Sequence, residues 1–256
     1  MNIIIKSISL LIALALHGSW LSSAQSNNRQ PQYFQSCNDA PNVSAIYLIK
    51  PWNNSAPFQA FCEQQLFGGH WLQFQNRQDG STNFNRSWND YKFGFGSLQR
   101  EFWLGLEKLH QITHGKPCEL MVLMANYSEF PVWYHYTTFG VADEAANYEL
   151  KLLGFMEGTA GESFYDYRKE NFSTYDRDND KSESNCAATM GSGHWHLDCG
   201  TGVRRNNLNG VYSNRVLDDG AGMWWGGFGG PSNPLKWSKM FVKVRPPQKS
   251  RVSSKG

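Results

Sequence analysis

Ser173-Thr174-Tyr175-Asp176-Arg177-Asp178-Asn179-Asp180-Lys181, followed by Cys186 and Cys199, sets three carboxylates at alternate positions ahead of a close cysteine pair. Alternating Asp residues aim hard oxygen donors at one point, which suits Ca²⁺ and its flexible oxygen coordination. Without a counter-charge Asp176, Asp178 and Asp180 repel one another, so the run calls for a cation. An EF-hand is excluded. Counted from Asp176, the sixth and twelfth positions hold Lys181 and Ala187, where that loop requires Gly and Glu. A cation loop beside paired cysteines points to an oxidising, extracellular setting.

The N-terminus of the 256-residue chain agrees. Lys6 precedes an apolar run over 8–16, and Ser22-Ser23-Ala24 offers small residues for cleavage. Residues 1–24 therefore read as a signal peptide, with the mature start near Gln25. The apolar run is shorter than the about 20 residues a membrane helix needs, so the expected protein is secreted and not membrane-spanning. With 24 basic and 22 acidic residues the formal charge is +2, and no basic patch of the kind nucleic-acid binding requires is visible. The 10 Trp, 11 Tyr, 16 Phe and 24 Gly favour short strands and many turns over a helical bundle.

Five cysteines leave one over. Cys37 with Cys62 and Cys186 with Cys199 are the economical pairs, because each closes a short local loop. Cys118 lies in Pro117-Cys118-Glu119-Leu120-Met121-Val122-Leu123-Met124, which reads as a buried strand and makes it a free apolar thiol. An intermolecular bridge is the alternative for it. Five Asn-x-Ser sequons, at Asn42, Asn53, Asn85, Asn126 and Asn171, suggest a glycoprotein with some of them occupied.

Residues 25–36 are polar and read as a disordered linker, with no heptad or Gly-X-Y repeat before Cys37. Strands are expected over 45–49, 58–62, 71–74, 118–124, 132–136, 148–152 and 240–244, with turns at Gly68-Gly69 and Asp79-Gly80. The 101–110 stretch has helical spacing, with Phe102, Leu106 and Leu109 on one face. From about 158 to 235 the chain is glycine-rich and polar, a length of loop that usually carries function. Residues 247–256 read as a basic, disordered tail.

Trp71, Arg77-Gln78-Asp79-Gly80-Ser81, Phe84, Trp88 and Tyr91-Lys92-Phe93-Gly94-Phe95-Gly96 occur in that order. Glu101-Phe102-Trp103-Leu104-Gly105-Leu106-Glu107-Lys108-Leu109-His110, Gly158-Thr159-Ala160-Gly161-Glu162, Asn185-Cys186-Ala187 and Asn207-Leu208-Asn209-Gly210-Val211-Tyr212 follow. With the Asp-rich run these resemble the fibrinogen C-terminal globular domain of fibrinogen chains, ficolins, tachylectins, angiopoietins and invertebrate fibrinogen-related lectins, over residues 37–246. The resemblance implies an α+β fold with a disulfide-bonded N-terminal part, a central antiparallel sheet and a loop-rich calcium and ligand region. It implies a binding module and not an enzyme; Gly-x-Ser-x-Gly and His-Glu-x-x-His are both absent.

By position the resemblance assigns Ca²⁺ to the Asp178 and Asp180 carboxylates and the Ser182 and Ser184 carbonyls, with Asp176 in support. Ser184 stands where the family commonly has glycine. A cis peptide at Asp198–Cys199 is implied too, beside a pocket for N-acetyl groups. That pocket falls here on Met190, His196, Asp198, Cys199, Gly200, Asp219, Trp224 and Phe228. Gly200 replaces a histidine of the lectin-like members, Met190 a tyrosine, and Asp219 and Pro231 two further tyrosines, which removes stacking surface. Trp224 or Phe228, if exposed, restores some of it; ordinary core packing is the plainer reading. His194-Trp195-His196 lacks the further ligands that zinc needs. The expected function is lectin-like binding of acetylated or other glycans in innate immunity, with a homo-oligomer supplying avidity. The alternative is an extracellular protein–protein ligand, or a matrix or signalling component, that binds no sugar.

Overall fold

Alternate residues Cys118, Leu120, Val122 and Met124 of strand β6 (Cys118–Asn126) lie in the main core, while Met121 packs with Trp71 and Phe241 in a separate cluster. That is the period-two signature of a strand covered on both faces. The computed structural model from which this is read describes residues 30–128, 130–217 and 220–246. The expected signal peptide (1–24), the start of the linker, the tail (247–256) and Asp219 lie outside those residues.

The sheet runs in the order β1-β2-β3-β11-β6-β7-β8. Its members are β1 (Ala45–Ile49), β2 (Phe58–Glu63), β3 (Trp71–Arg77), β6, β7 (Pro131–Val141), β8 (Leu150–Gly158) and β11 (Leu235–Val244). Neighbours along this path pair antiparallel. Two short strands, β4 (Phe95–Gly96) and β5 (Phe102–Trp103), extend it beside β3, and β9 (Asn206–Asn207) pairs with β10 (Trp224–Trp225) in a separate two-stranded sheet. The last strand thus sits between β3 and β6, and every residue of β3 is buried. Among the described residues no helix is long and apolar enough to cross a membrane.

Several local expectations shift. The 101–110 helix divides, because Phe102 and Trp103 pair with Asn76 and Gln75 of β3. Gly105 then takes φ 119°, where a Cβ would meet Phe93 backbone at 2.8 Å, and helix α2 (Leu106–Thr113) starts after it. Phe102 therefore belongs to the sheet, and the buried helix face is Leu106, Leu109 and Ile112. The strand expected over 148–152 begins at Leu150, since Asn147 and Tyr148 hold φ near 48° and 50°. In the linker, Phe34 bridges to Ile49, with Phe34 N–H donating to Leu48 O at 3.0 Å. The packed chain reaches back at least that far.

Helix α1 (Trp88–Phe93) opens with a capping box in which Ser87 and Asp90 satisfy each other's backbone N–H. The Asp79-Gly80 turn closes over Glu101, whose buried carboxylate accepts from the N–H groups of Gln78, Asp79, Gly80 and Thr82 at 2.8–3.1 Å. Disulfides join Cys37 to Cys62 and Cys186 to Cys199. Cys118 is a free thiol, 1% exposed, with burial pushing its pKa up to about 12. Burial of this kind speaks for the apolar-thiol reading over the intermolecular bridge.

Candidate functional site

The Asp-rich loop is tied down at its start. Ser173 and His194 exchange backbone hydrogen bonds at 2.9 and 3.1 Å, and Thr174 pairs with Arg177 in the same way. Asp176 does not join the other two carboxylates. Its Oδ1 accepts from Trp88 N–H at 2.9 Å and Thr174 Oγ1 at 2.7 Å, which docks the loop on the first turn of α1.

Asp178 and Asp180 remain together. Asp180 N–H donates to Asp178 Oδ1 at 3.2 Å, and Asp180 accepts from the N–H groups of Ser182 (2.9 Å) and Cys186 (3.0 Å). Burial raises the Asp180 pKa, and the Asp178 charge raises it further. The nearby cations are committed elsewhere, Lys181 to Glu170 at 2.6 Å and Arg177 to Asn147 and Glu144. Beside Ser184 O stand the sulfurs of Cys186 and Cys199, at 3.7 and 3.6 Å, which carry no hydrogen in a disulfide. Among the described residues these two carboxylates have no ion-pair partner and the carbonyl no hydrogen-bond donor, a donor set that fits a hard divalent cation. Among the described residues no group of three or more His, Cys, Asp or Glu side chains could hold a metal ion, so a cation here would need backbone carbonyls as well. Ser184 keeps negative φ, and the serine-for-glycine exchange brings no strain.

Beyond the loop, Asn185 caps helix α3 (Cys186–Thr189), accepting from Ala188 N–H at 2.8 Å, and the disulfide ties that helix to Cys199. The Asp198–Cys199 peptide expected to be cis is trans, as is every described peptide. In that arrangement Gly200 N–H turns back to Asp198 Oδ1 at 2.9 Å. Arg205 grips the same carboxylate at 2.8 and 3.0 Å and, more than any other contact, lowers its pKa.

The pocket anticipated from sequence does not assemble from all its members. Met190 and Trp224 are buried at 2% and 1% exposure, and the Trp224 indole donates inward to Gly220 O at 2.8 Å. His196 is buried with Nε2 donating to Ser192 O, and Phe228 leans on the core. Among the described members Gly200 is exposed, and Asp198, Cys199 and Phe228 are half-buried. Trp224 thus takes the packing role, and no aromatic wall stands in for the missing tyrosines among these residues. His194 is buried beside His196, with neither ring nitrogen hydrogen-bonded.

Sequence reading missed a recess of about 680 Å³ beside the staple, lined by Glu149, Leu150, Lys151, Asp166, Arg168, Lys169 and Leu197. Two backbone bonds build it: Leu150 N–H to Glu170 O and Lys169 N–H to Leu150 O, both 2.9 Å. Lys151 and Lys169 are exposed and make no ion pair among the described residues, while Arg168 lies 3.5 Å over the Tyr165 ring. Arg205 connects recess and staple, since it meets Asp166 at 3.6 Å as well as Asp198. Only the basic residues themselves were visible beforehand; nothing in their spacing brings 149–151 to 166–169.

A family model described as "Fibrinogen beta and gamma chains, C-terminal globular domain" matches residues 32–247. Human Ficolin-3 is 38% identical over 198 residues, which is 77% of this chain and 64% of that protein. Human Angiopoietin-related protein 2 is 37% identical over 214 residues, 83% of this chain and 43% of that protein. This chain therefore spans less than two thirds of either relative. Among solved structures, the fibrinogen-like globe domain of human ANGPTL2 matches with TM-score 0.78 and 35% identity, covering 83% of this chain and all of that one. A lamprey fibrin D-dimer complexed with the peptide Gly-His-Arg-Pro-amide matches with TM-score 0.74 and 29% identity, over 90% of this chain and 80% of that one.

Proposed function

This chain belongs to the fibrinogen C-terminal globular domain family, and we propose that it is a secreted, Ca²⁺-stabilised recognition module that binds glycans in innate defence. The observation that carries this reading is the open recess beside the stapled loop, where Lys151, Arg168 and Lys169 stand with Glu149 and Asp166. Asp178, Asp180 and the Ser182 and Ser184 carbonyls would hold Ca²⁺, which would neutralise the two carboxylates of the loop. The chain's own residues do the rest: Asp176 anchors the loop to α1, and Arg205 holds Asp198 and Asp166 in place. With Met190 and Trp224 withdrawn, ligand contact falls to Lys151, Lys169 and Glu149 rather than to an aromatic acetyl pocket. Sites of this polarity bind weakly one at a time, so a linked homo-oligomer is part of the proposal.

Binding of the purified protein to a glycan panel and to an N-acetylglucosamine resin, with and without Ca²⁺, tests it. The expected result is Ca²⁺-dependent binding that Lys151→Ala with Lys169→Ala reduces. Retention on the resin competed by acetate would instead place the site at Gly200. A second reading, a protein ligand without sugar binding, draws support from the buried Met190 and Trp224 and from the peptide-bound lamprey relative. Failure on every glycan with capture of an extracellular protein would favour it.

Calcium has its own check. Asp178→Asn with Asp180→Asn should lower the melting temperature in Ca²⁺ and leave it unchanged in EDTA, because a ligand stabilises only the state that binds it. Equal losses in both buffers would sink the metal assignment.

A further inference from the structure

His110 and His114 stand four residues apart, the first half-buried in the last turn of α2 and the second its exposed C-cap residue. Side chains at that spacing lie one above the other. Their ring centres are 5.0 Å apart. Two imidazole nitrogens each about 2.0–2.1 Å from a tetrahedral Zn²⁺ place their ring centres about 5 Å apart, so the pair already has the spacing of a chelate.

The outer contacts agree. His110 Nδ1 lies 2.9 Å from Val141 O. A carbonyl only accepts, so Nδ1 carries the hydrogen, which leaves Nε2 as the nitrogen the neutral ring would offer to a metal, the hydrogen-bonding pattern that orients ligating histidines. His114 is exposed, and its ring nitrogens have no hydrogen-bond partner among the described residues. Trp52 stands edge-on to it with ring centres 6.5 Å apart, and is itself fixed by Nε1 donating to Gln111 O at 2.9 Å. The two histidines open into a recess of about 260 Å³ that Glu107, Trp52 and Asn54 also line. Glu107 accepts from Tyr148 and Gln111 at 3.1 and 3.0 Å, and adds a negative charge beside the pair. No residue of the Asp-rich loop lines this recess.

We propose that His110 and His114 form a site for a borderline divalent cation, Zn²⁺ or Cu²⁺, with water in the remaining positions. Among the described residues no third His, Cys, Asp or Glu completes the set, so the site stays open to an incoming ligand. Imidazole nitrogen selects these metals over Ca²⁺, which prefers oxygen, and the two ions do not compete.

Isothermal titration of Zn²⁺, and separately of Cu²⁺, into tag-free, chelator-stripped protein holding excess Ca²⁺ tests the site. One equivalent per chain is expected for wild type. His114→Ala should weaken binding by about tenfold or more, because losing a ligand costs at least what losing an outer partner does. Its exposed position predicts an unchanged melting temperature without metal, which separates ligand loss from misfolding. His110→Gln should weaken binding likewise. Absence of binding in both metal arms, or wild-type affinity in His114→Ala, would overturn the proposal.

Discussion

Burial of His194 among Phe164, Tyr167 and Trp195 lowers its pKa to about 3, with the His196 charge contributing, and burial lowers His196 to about 4. An unfolded chain holds both near about 6.5. Between about pH 6.5 and 4 the unfolded state therefore takes up protons that the folded state refuses, and stability falls as pH falls. The loss is up to about 1.4 kcal/mol per histidine per pH unit inside that window. His194→Phe, which keeps a ring in the slot, should flatten the dependence when urea unfolding is compared at pH 7 and pH 5; equal slopes would refute the assignment. At this scale chemistry was legible and burial was not. The Asp run marked by charge alone where carboxylates crowd, and Asp178 and Asp180 do stand together there. Met190 and Trp224 gave no such sign, since which neighbours close over a side chain depends on segments far away in sequence.

Helix α1 rests on the Ser87–Asp90 capping box, and Ser87 is also the hydroxyl residue of the Asn85 sequon. Ser87→Ala should cost about 1 kcal/mol of stability and abolish any glycan at Asn85 together. Asn85→Gln removes the glycan alone, so comparing the two melting temperatures after mass spectrometry of the glycopeptide isolates the cap. Elements were well forecast where the local pattern and the sheet agreed, as in β1 and β6. They were missed where tertiary pairing won. Phe102 and Trp103 read as helix by spacing, yet β3 offered them a buried edge, and Gly105 supplied the positive φ that lets the chain turn from strand to helix.

Over the whole molecule, the staple across Cys186 and Cys199 ties the segment after the Asp-rich loop to the turn at Gly200. Replacing both by Ser should lower stability by about 3 kcal/mol, the chain-entropy value for a loop of this size, read by urea unfolding with Ca²⁺ present. No loss would mean that the metal alone orders the loop. The sheet's topology reaches further. β11 is last in chain order yet lies between β3 and β6. During synthesis the sheet cannot close until residue 244 has left the ribosome, and until then β3 and β6 present two unpaired edges, the surfaces on which nascent chains aggregate. A stop codon just before Leu235 would remove β11 and leave the sheet in two halves, so the loss of that one strand parts all the strands made before it into two unjoined groups.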